Sequence, residues 1–383
     1  MLSSNKGQKS VGIIGAGASG CICAYFLLKF GIDVTLFDKA NPLRTLLPTG
    51  GGRCNLAHAE FDFRDLARNY PRGEKFLYSV FSQFSTSDTI ELFDELGVKT
   101  YVQENGRIFP KSNSSKDVKN KILNNITSAN FITEKVCSLE KLNNGFKVIT
   151  NKSEYYFTHI VIAIGGHSGY SILENLGINI ISPKPSLVGF RTKEDFGSIS
   201  GSVLKNVKHT NIVDDILFTH FGVSGPLIYT LSSLNAFKTF PYKISIDLAP
   251  DFIDFQDELN KNPHKEIKNI LAKYLPHKIV SFILKDFDES IKAHKINGNL
   301  RDLISNKIHN FEIEIVGVNV GEETVTAGGV DLNEINSKTM ETKRISNLFC
   351  IGEVLNIDGF CGGFNLQNAW STAYVASLGI NES

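Results

Sequence analysis

The first forty residues alternate between apolar segments and glycine-rich turns, a pattern that predicts a strand, a helix and a second strand. The run Ser10–Ile14 is short and apolar, as expected of a buried strand, and the turn Gly15–Gly20 follows it. Apolar residues continue through Ala24–Phe30 and stop at Gly31, which is the pattern of a helix that ends at a glycine. The next apolar run, Val34–Phe37, predicts another buried strand. This order of elements is typical of an α/β fold.

Further along, the pattern changes several times before residue 165. The segment Pro48–Asn55 (PTGGGRCN) is too rich in glycine for a regular element and is predicted to be a loop. Residues 62–96 are mostly helical in their periodicity. The other predicted elements are a hairpin over Tyr101–Pro110 that turns at Asn105-Gly106, a helix over Ser114–Asn125, strands over Val136–Leu142 and Gly145–Thr150, and one continuous apolar strand over Phe157–Ile164.

After residue 185 the chain takes on a different character, and it changes back near its end. Alternating strands and turns run to about residue 248, and a lysine- and histidine-rich helical stretch covers 255–310. Strands and glycine turns return from residue 314, and a last helix is predicted at Gln367–Leu378. We predict an α/β protein with a Rossmann-like domain made from both chain ends, 1–185 and 319–383, around an inserted domain at 186–318.

The composition of the 383-residue chain narrows its class. Hydrophobic residues make up 42% and charged residues 21%, and Lys+Arg and Asp+Glu both number 40. Such a chain folds around apolar cores, and it has no overall positive field to gather nucleic acid or anionic lipid. We therefore expect no nucleic-acid partner. Glycines within the apolar run 11–28 make it a poor membrane helix, so no membrane partner is predicted.

Cysteine usage points to a reducing compartment. The six cysteines, at 21, 23, 54, 137, 350 and 361, are too sparse for a disulfide scaffold, and none stands in a CxxC pair. The histidines of the helical stretch are not at metal-ligand spacing either. No metal site is predicted, and a cytoplasmic location fits best.

The strongest local motif is Gly15-Ala16-Gly17-Ala18-Ser19-Gly20, between the first strand and its helix. Gly15 allows the tight turn, Gly17 lets the backbone approach a pyrophosphate, and Gly20 lets helix and strand pack closely. Amides at the helix N-terminus can then bind the phosphates. Asp38 ends the next strand, where it can accept both hydroxyls of an adenosine ribose. The motif in this setting predicts a dinucleotide-binding domain.

Two more glycine clusters favour FAD over NAD as the dinucleotide. One is Ala163-Ile164-Gly165-Gly166 and the other is Cys350-Ile351-Gly352-Glu353, each at the end of an apolar run. An extended FAD would use the second cluster, because its ribityl chain and ring continue past the pyrophosphate, and Glu353 can bind a ribityl hydroxyl. The glycines of 359–363, among them Gly362 and Gly363, precede the last helix, whose amides could stabilise charge on the flavin. The alternative is that both clusters are structural turns.

Longer motifs carry a resemblance to a known family. The stretches are VGIIGAGASG (11–20), PTGGGRCNL (48–56), GRIFPKSNSSKDV (106–118), PKPSLVGF (183–190), LFTHFGVSGP (217–226), TAGGV (326–330), KTMETK (338–343) and LFCIGEVLNIDGFCGGFNLQNAWS (348–371). In these the chain resembles the HI0933-like family of flavoproteins, which includes aminoacetone oxidases and bile-acid dehydroxylation reductases. The resemblance implies an FAD-binding Rossmann-like domain interrupted by a β-barrel and a helical segment. Cys361 and Phe364 stand where the family usually has Thr and Tyr.

The resemblance also implies a set of FAD contacts. Val136 would lie by the adenine, and Ala163 and Gly165 by the pyrophosphate. The ribityl chain and ring would lie along Gly352, Glu353, Gly363, Asn365 and Leu366. The remaining implied contacts are Gly15, Gly17, Ser19, Gly20, Asp38, Lys39, Gly51, Gly52, Arg53, Cys54 and Asn55.

Candidates for chemistry beyond the cofactor are fewer. His220 is the best general acid or base, although it could equally fix the hydrogen bonds of its loop. Arg53 could approach the phosphates or the flavin, or form a structural ion pair. Cys54 and Cys361 could form a disulfide facing the flavin, but ordinary packing or FAD contact is the preferred interpretation. The substrate pocket is predicted to include Phe109, Pro110, Thr219 and Ser224, which could instead shape two turns.

These features together predict an FAD-dependent oxidoreductase that moves a hydride between the flavin N5 and a small organic substrate. The chain shows no second GxGxxG turn in a strand–helix setting, so NADH or NADPH would have to reach the flavin from the substrate side. We favour an NAD(P)H-linked reductase of C=C or C=O bonds. The alternatives are an amine or aminoketone oxidase, a flavin-dependent tRNA-modifying protein and a flavin-binding regulator without turnover.

Overall fold

The computed structural model describes residues 9–252, 254–319, 321 and 325–383, which form two compact units. The first unit contains the described residues up to Lys184 and those from Val325 onward, and the second contains the described part of 185–324. None of the described helices is long and apolar enough to cross a membrane.

The strands, in chain order, are β1 (Ser10–Ile14), β2 (Asp33–Asp38), β3 (Ala57–His58), β4 (Thr100–Val102), β5 (Arg107–Pro110), β6 (Asn130–Thr133), β7 (Val136–Leu142), β8 (Gly145–Thr150), β9 (Glu154–Phe157), β10 (His159–Ile162), β11 (Ile180–Ser186), β12 (Phe190–Thr192), β13 (Val203–His209), β14 (Ile212–Thr219), β15 (Gly222–Ser224), β16 (Tyr242–Ile246), β17 (Phe311–Val318), β18 (Val325–Val330) and β19 (Leu348–Cys350). The helices are α1 (Ala18–Lys29), α2 (Thr49–Gly52), α3 (Phe63–Ala67), α4 (Glu74–Phe81), α5 (Thr86–Glu95), α6 (Ser115–Asn124), α7 (Ser171–Glu174), α8 (Pro226–Leu234), α9 (Phe255–Lys261), α10 (Ile267–Leu271), α11 (His277–Leu284), α12 (Gly298–His309) and α13 (Phe364–Glu382).

A parallel sheet in the order β19-β10-β1-β2-β6 forms the centre of the first unit. β1 and β10 are almost wholly apolar and buried, as expected of parallel strands that are covered on both faces. Helices α1 and α13 pack against each other, and nearly every residue in the first two turns of α1 is buried. The predicted Rossmann-like α/β fold is confirmed.

Two small antiparallel sheets complete the first unit, in the orders β3-β5-β4 and β7-β8-β9, and β11 pairs with β18. The predicted hairpin at Asn105-Gly106 is the β4–β5 turn, where Gly106 has φ 78°. The predicted single strand Phe157–Ile164 is wrong. Phe157 ends β9 of one sheet, and the main chain then enters β10 of another, because Thr158 bonds back to the main chain of Ser10.

In the second unit, a six-stranded antiparallel sheet in the order β13-β14-β15-β12-β17-β16 packs with helices α8–α12. The sheet curls until its edges meet: Lys208 and the residue after β16, Asp247, exchange main-chain hydrogen bonds of 2.9 and 2.8 Å. Phe190, Phe196 and Phe218 are buried in its core. Helix α8 lies in a stretch predicted to contain only strands and turns. Pro226 at its first turn suits a helix start, a signal that the alternating pattern obscured.

Candidate cofactor and substrate site

Three glycine clusters of the first unit lie at one edge of the parallel sheet. Because β19, β10 and β1 are neighbours and parallel, the residues that follow them, Ile351-Gly352, Ala163–Gly166 and Gly15, come together at the carboxyl edge. The main chain joins these ends directly, from Ala163 N to Ile14 O (2.8 Å) and from Ile351 N to Ile162 O (3.0 Å). Ligands of open α/β sheets bind outside this edge.

The turn after β1 is held by close main-chain contacts that only glycine permits. A Cβ on Gly15, which has φ 109°, would lie 2.2 Å from the carbonyl oxygen of Ala163. A Cβ on Gly20 would lie 2.0 Å from the carbonyl oxygen of Gly15. Gly17 is different, because no atom of the described residues lies within 4 Å of where its Cβ would be. The fold requires glycine at the first two positions, and the open space at Gly17 fits the approach of a pyrophosphate.

Asp38, at the end of β2, is oriented by two main-chain amides. Its Oδ2 accepts a hydrogen bond from Ala16 N and its Oδ1 accepts one from Ala40 N, both at 2.9 Å. Each carboxylate oxygen keeps a lone pair for a ribose hydroxyl. Lys39 beside it is exposed.

The C-terminal cluster meets the first one at Ser19. A Cβ on Gly352 would lie 2.6 Å from Ser19 Oγ, and Gly352 N donates to Thr372 Oγ1 of α13 at 2.9 Å. We call this region, formed by Gly15–Gly20 and Gly352, the phosphate end of the site. Next to it, the Oε1 atom of Glu353 accepts a bond from Thr326 N (2.9 Å), and burial raises the pKa of the Glu353 carboxyl.

The segment PTGGGRCN, predicted to be a loop, contains the one-turn helix α2, whose two central glycines are left-handed. Gly50 and Gly51 have φ values of 59° and 67°, and Cys54 follows at 63°. Gly51 and Gly52 are exposed. The Cys54 side chain is buried, and burial raises its pKa to about 12, so its sulfur remains a thiol at neutral pH. Cys54 and Cys361 are not joined in a disulfide, and Cys361 is exposed.

Asn55 ends this loop with an unpaired acceptor beside the start of α13. Its side chain is 9% exposed, and its Oδ1 atom is buried with no hydrogen-bond partner among the described residues. That atom lies 2.8 Å from the position of a Cβ on Gly363, the left-handed residue before α13. A buried carbonyl oxygen requires a donor, and the flavin ring carries one at N3. We call the region formed by Asn55 and Gly359–Gly363 the ring end of the site. Its open acceptor and the space at Gly17 both fit FAD.

The other predicted contacts are placed in different ways. Asn365 uses both ends of its amide on the main chain of Gly359, at 2.9 and 2.8 Å, so its side chain braces the glycine turn. Leu366 packs against the core of the first unit. Ala163 is buried and Gly165 has open space around it, with the nearest Glu353 oxygen 4.0 Å from its Cβ position. Val136 begins β7, in a separate sheet.

The predicted substrate residues divide between the two units. Phe109 and Pro110 lie in β5 of the first unit and are buried. Thr219, His220 and Ser224 lie in the β14–β15 hairpin of the second unit. His220 is exposed at the turn, and Ser224 Oγ donates to Tyr229 Oη at 3.2 Å. Thr219 Oγ1 is buried and has no hydrogen-bond partner in the part of the chain that the structure describes. The fold thus brings the last three together.

Sequence reasoning missed two residues that the structure places at the ring end. His58 stacks on Phe364, with ring centroids 4.7 Å apart, and donates from Nδ1 to the carbonyl oxygen of Gly362 at 3.1 Å. Arg107 donates from Nη2 to the sulfur of Cys361 at 3.7 Å. Both depend on the pairing of β3 with β5, and a strand of two residues leaves no periodic signal in the sequence.

Comparison with known proteins supports the family resemblance. Residues 9–379 match the HI0933-like protein Rossmann domain. Ribosomal RNA dihydrouridine synthase of Haemophilus influenzae is 31% identical, over 96% of this chain and 98% of that protein. The 3-dehydro-bile acid delta(4,6)-reductase of Clostridium scindens is 24% identical, over 97% and 99%.

Among solved structures, the fold is similar to the open conformation of a flavocytochrome c3 fumarate reductase. The TM-score is 0.52 at 12% identity, with 98% of this chain and 78% of the other covered. The family match, by contrast, covers almost the whole sequence. The chain therefore belongs to the HI0933-like family of FAD-dependent oxidoreductases, which confirms the family and the enzyme class that its motifs predict.

Proposed function

We propose that the protein is an FAD-dependent reductase of a carbon–carbon double bond conjugated to a carbonyl, and that its substrate is a uridine in ribosomal RNA. The observation that carries the flavin part is the meeting of three glycine clusters at the carboxyl edge of β19, β10 and β1. When bound, FAD supplies the hydride chemistry of such a reduction. The chain's own part is to bind the pyrophosphate through the amides of Gly15–Gly20 and to hold the ring at Asn55 and the start of α13.

The names of two relatives support the bond type. One is a ribosomal RNA dihydrouridine synthase and the other a 3-dehydro-bile acid delta(4,6)-reductase, and both names describe the reduction of a C=C bond. In uracil, the C5=C6 bond is conjugated to the C4 carbonyl, so a hydride added at C6 and a proton added at C5 give dihydrouridine. The higher identity of the first relative favours RNA as the substrate.

This proposal departs from the expectation that nucleic acid is not a partner. That expectation rested on the equal numbers of acidic and basic residues. Overall neutrality excludes a long-range attractive field, but a local group of cations can still bind a phosphate. NADH or NADPH is the proposed electron donor.

The test is dihydrouridine formation in ribosomal RNA. The FAD-loaded protein, NADH or NADPH, and ribosomal RNA from a strain lacking the gene are incubated without oxygen, and the RNA nucleosides are quantified by mass spectrometry. We expect dihydrouridine in the ribosomal RNA and none in a parallel reaction without nicotinamide. If RNA from the deletion strain keeps its dihydrouridine and gains none in the reaction, the RNA proposal is wrong.

A second candidate is reduction of a small unsaturated ketone, which the bile-acid relative favours. An anaerobic absorbance titration with NADH and then NADPH separates this candidate from an oxidase, because a reductase's flavin bleaches with a nicotinamide donor. Recovery of the flavin colour on addition of a 3-oxo-4-ene steroid, but not of RNA, would favour this candidate.

A further inference from the structure

One face of the β3–β5 pair carries cationic and aromatic side chains next to the ring end. His58 and Arg107 are directly opposite each other in the two strands, and Phe109 follows Arg107 on the same face two residues later. The Arg53 guanidinium lies over the Phe109 ring, 4.2 Å from its centroid. We call these four residues the arginine face.

In the part of the chain that the structure describes, neither arginine of this face has an acidic partner. Among residues 9–252, 254–319, 321 and 325–383, no carboxylate oxygen lies within 4.0 Å of the Arg53 or Arg107 nitrogens. Four other arginines do have one, namely Arg68, Arg72, Arg301 and Arg344, whereas Arg44, Arg64 and Arg191 have none among the described residues. Within the described residues, the Arg53 side chain donates to the main-chain oxygen of Gly50 at 3.3 Å, and the Arg107 side chain donates to the Cys361 sulfur at 3.7 Å. Two guanidinium groups that have no carboxylate nearby can bind an anion.

Arg107 and the phosphate end meet helix α13 at different places. Arg107 contacts Cys361, just before Gly363 and α13, whereas the phosphate end meets α13 at Thr372. Thr372 lies nine residues beyond Gly363, a separation of about 13 Å along the helix axis. The Arg107 side chain therefore lies by the ring end, before the start of α13, and not where the phosphate end meets that helix.

We propose that Arg107, with Arg53 beside it, binds a phosphate of the RNA strand next to the uridine that is reduced. This inference rests on the proposed function. A guanidinium binds phosphate with two parallel hydrogen bonds, and an arginine stacked on an aromatic ring also offers a flat surface to an unstacked base. The contact would favour a polynucleotide over a free base or a neutral ketone.

The test compares Arg107→Met and Arg107→Lys with Arg68→Met, which removes an exposed arginine that pairs with Asp65. KM for ribosomal RNA and the equilibrium binding of an RNA fragment are measured over a series of salt concentrations. For Arg107→Met we expect the RNA affinity to fall about tenfold, because a factor of about ten is the contribution of one charge-assisted hydrogen bond. The slope of log affinity against log salt should fall by about 0.7–0.9. Arg107→Lys should restore the slope but not the full affinity, because lysine retains only the charge.

Several outcomes would overturn the inference. One is an Arg107→Met variant whose FAD absorbance and RNA affinity equal those of Arg68→Met. Another is an Arg107→Met variant whose flavin is bleached more slowly by NADPH while its KM for RNA is unchanged. That result would mean that Arg107 binds a phosphate of NADPH and not one of RNA. If Arg107→Met fails to fold, the Arg107→Lys variant provides the test. An unchanged RNA affinity in Arg107→Lys would mean that Arg107 does not bind the phosphate with two parallel hydrogen bonds.

The inference and the proposed function can fail separately. If the wild-type protein forms dihydrouridine and Arg107→Met binds RNA normally, the function stands and the phosphate contact is wrong. If no dihydrouridine forms but Arg107→Met loses RNA affinity and salt dependence, the contact stands and the reaction is wrong.

Discussion

The phosphate end and the ring end of the candidate FAD site lie along the same helix, but they are built in different ways. At the phosphate end, main-chain atoms meet so closely that Gly15 and Gly20 have no room for a Cβ. At the ring end, Gly363 also meets main chain, because its Cβ position lies 2.4 Å from the carbonyl oxygen of Ala57, but the Cβ positions of Gly359 and Gly362 meet side chains, among them Tyr70 and His58. A site formed by main-chain atoms can be predicted from the spacing of glycines in the sequence. A site formed by side chains depends on contacts between distant residues, such as the hydrogen bond between His58 and Gly362, which are 304 residues apart.

The largest expected effect is the fall in stability when the ion pair next to the ring end is removed. Asp358, just before the glycine turn, is fully buried and pairs with the Arg72 guanidinium. Arg72→Met takes this arginine away from a buried carboxylate, so we expect the free energy of unfolding to fall by about 3–5 kcal/mol. Urea unfolding of the FAD-loaded protein gives this value.

The matched control for this change is Arg68→Met. Arg68 pairs with Asp65 on the surface, with side-chain exposures of 67% and 47%, so its loss should cost less than about 1 kcal/mol. Equal stability losses in the two variants would show that the buried pair does not hold the ring end.

The next effect concerns the phosphate end and separates cofactor binding from folding. Gly17 has an open Cβ position and a φ of −80°, which alanine adopts without strain. Gly17→Ala should therefore stay within about 1 kcal/mol of wild-type stability. Its FAD affinity should fall about 100-fold, because main-chain bonds to an anion contribute about 1.5–3 kcal/mol each and the new methyl group lies where the pyrophosphate approaches.

Gly298→Ala serves as the control, because Gly298 in the second unit also has open space around its Cβ position. Titration of the unloaded proteins with FAD, followed by flavin fluorescence, measures the affinities. An unchanged affinity in Gly17→Ala would place the pyrophosphate elsewhere.

The same contrast explains how much the sequence could predict. The βαβ start and the strands Val136–Leu142 and Gly145–Thr150 follow from local patterns, and the hairpin strands match the structure at both ends. The break at Thr158 does not follow from a local pattern, because the apolar run continues through this residue. Only the hydrogen bonds between Thr158 and Ser10 divide the run into two strands. Arg107 and His58 escaped notice for a similar reason: β3 has only two residues, and its partner strand lies about fifty positions away.

The smallest expected effect is a pH dependence that arises next to the phosphate end. Burial raises the pKa of Glu353 above its usual value, so the folded protein keeps this proton at pH values where the unfolded chain has released it. The stabilisation is complete below about pH 4.3, the ordinary pKa of a glutamate, and is lost as the pH rises through the raised pKa of the folded state. Stability should therefore fall with rising pH, by at most about 1.4 kcal/mol per unit from this one group.

Glu353→Gln removes this dependence while its Oε1 atom can still accept the hydrogen bond from Thr326 N. Urea unfolding at pH 5, 6, 7 and 8 should show a smaller loss of stability with pH in the variant than in the wild type. Glu104→Gln, at an exposed position of the β4–β5 turn, should leave the wild-type slope intact. Parallel slopes in Glu353→Gln and the wild type would mean that Glu353 is ionised in the folded protein. The phosphate end would then hold a buried negative charge, to which a cofactor hydroxyl would have to donate.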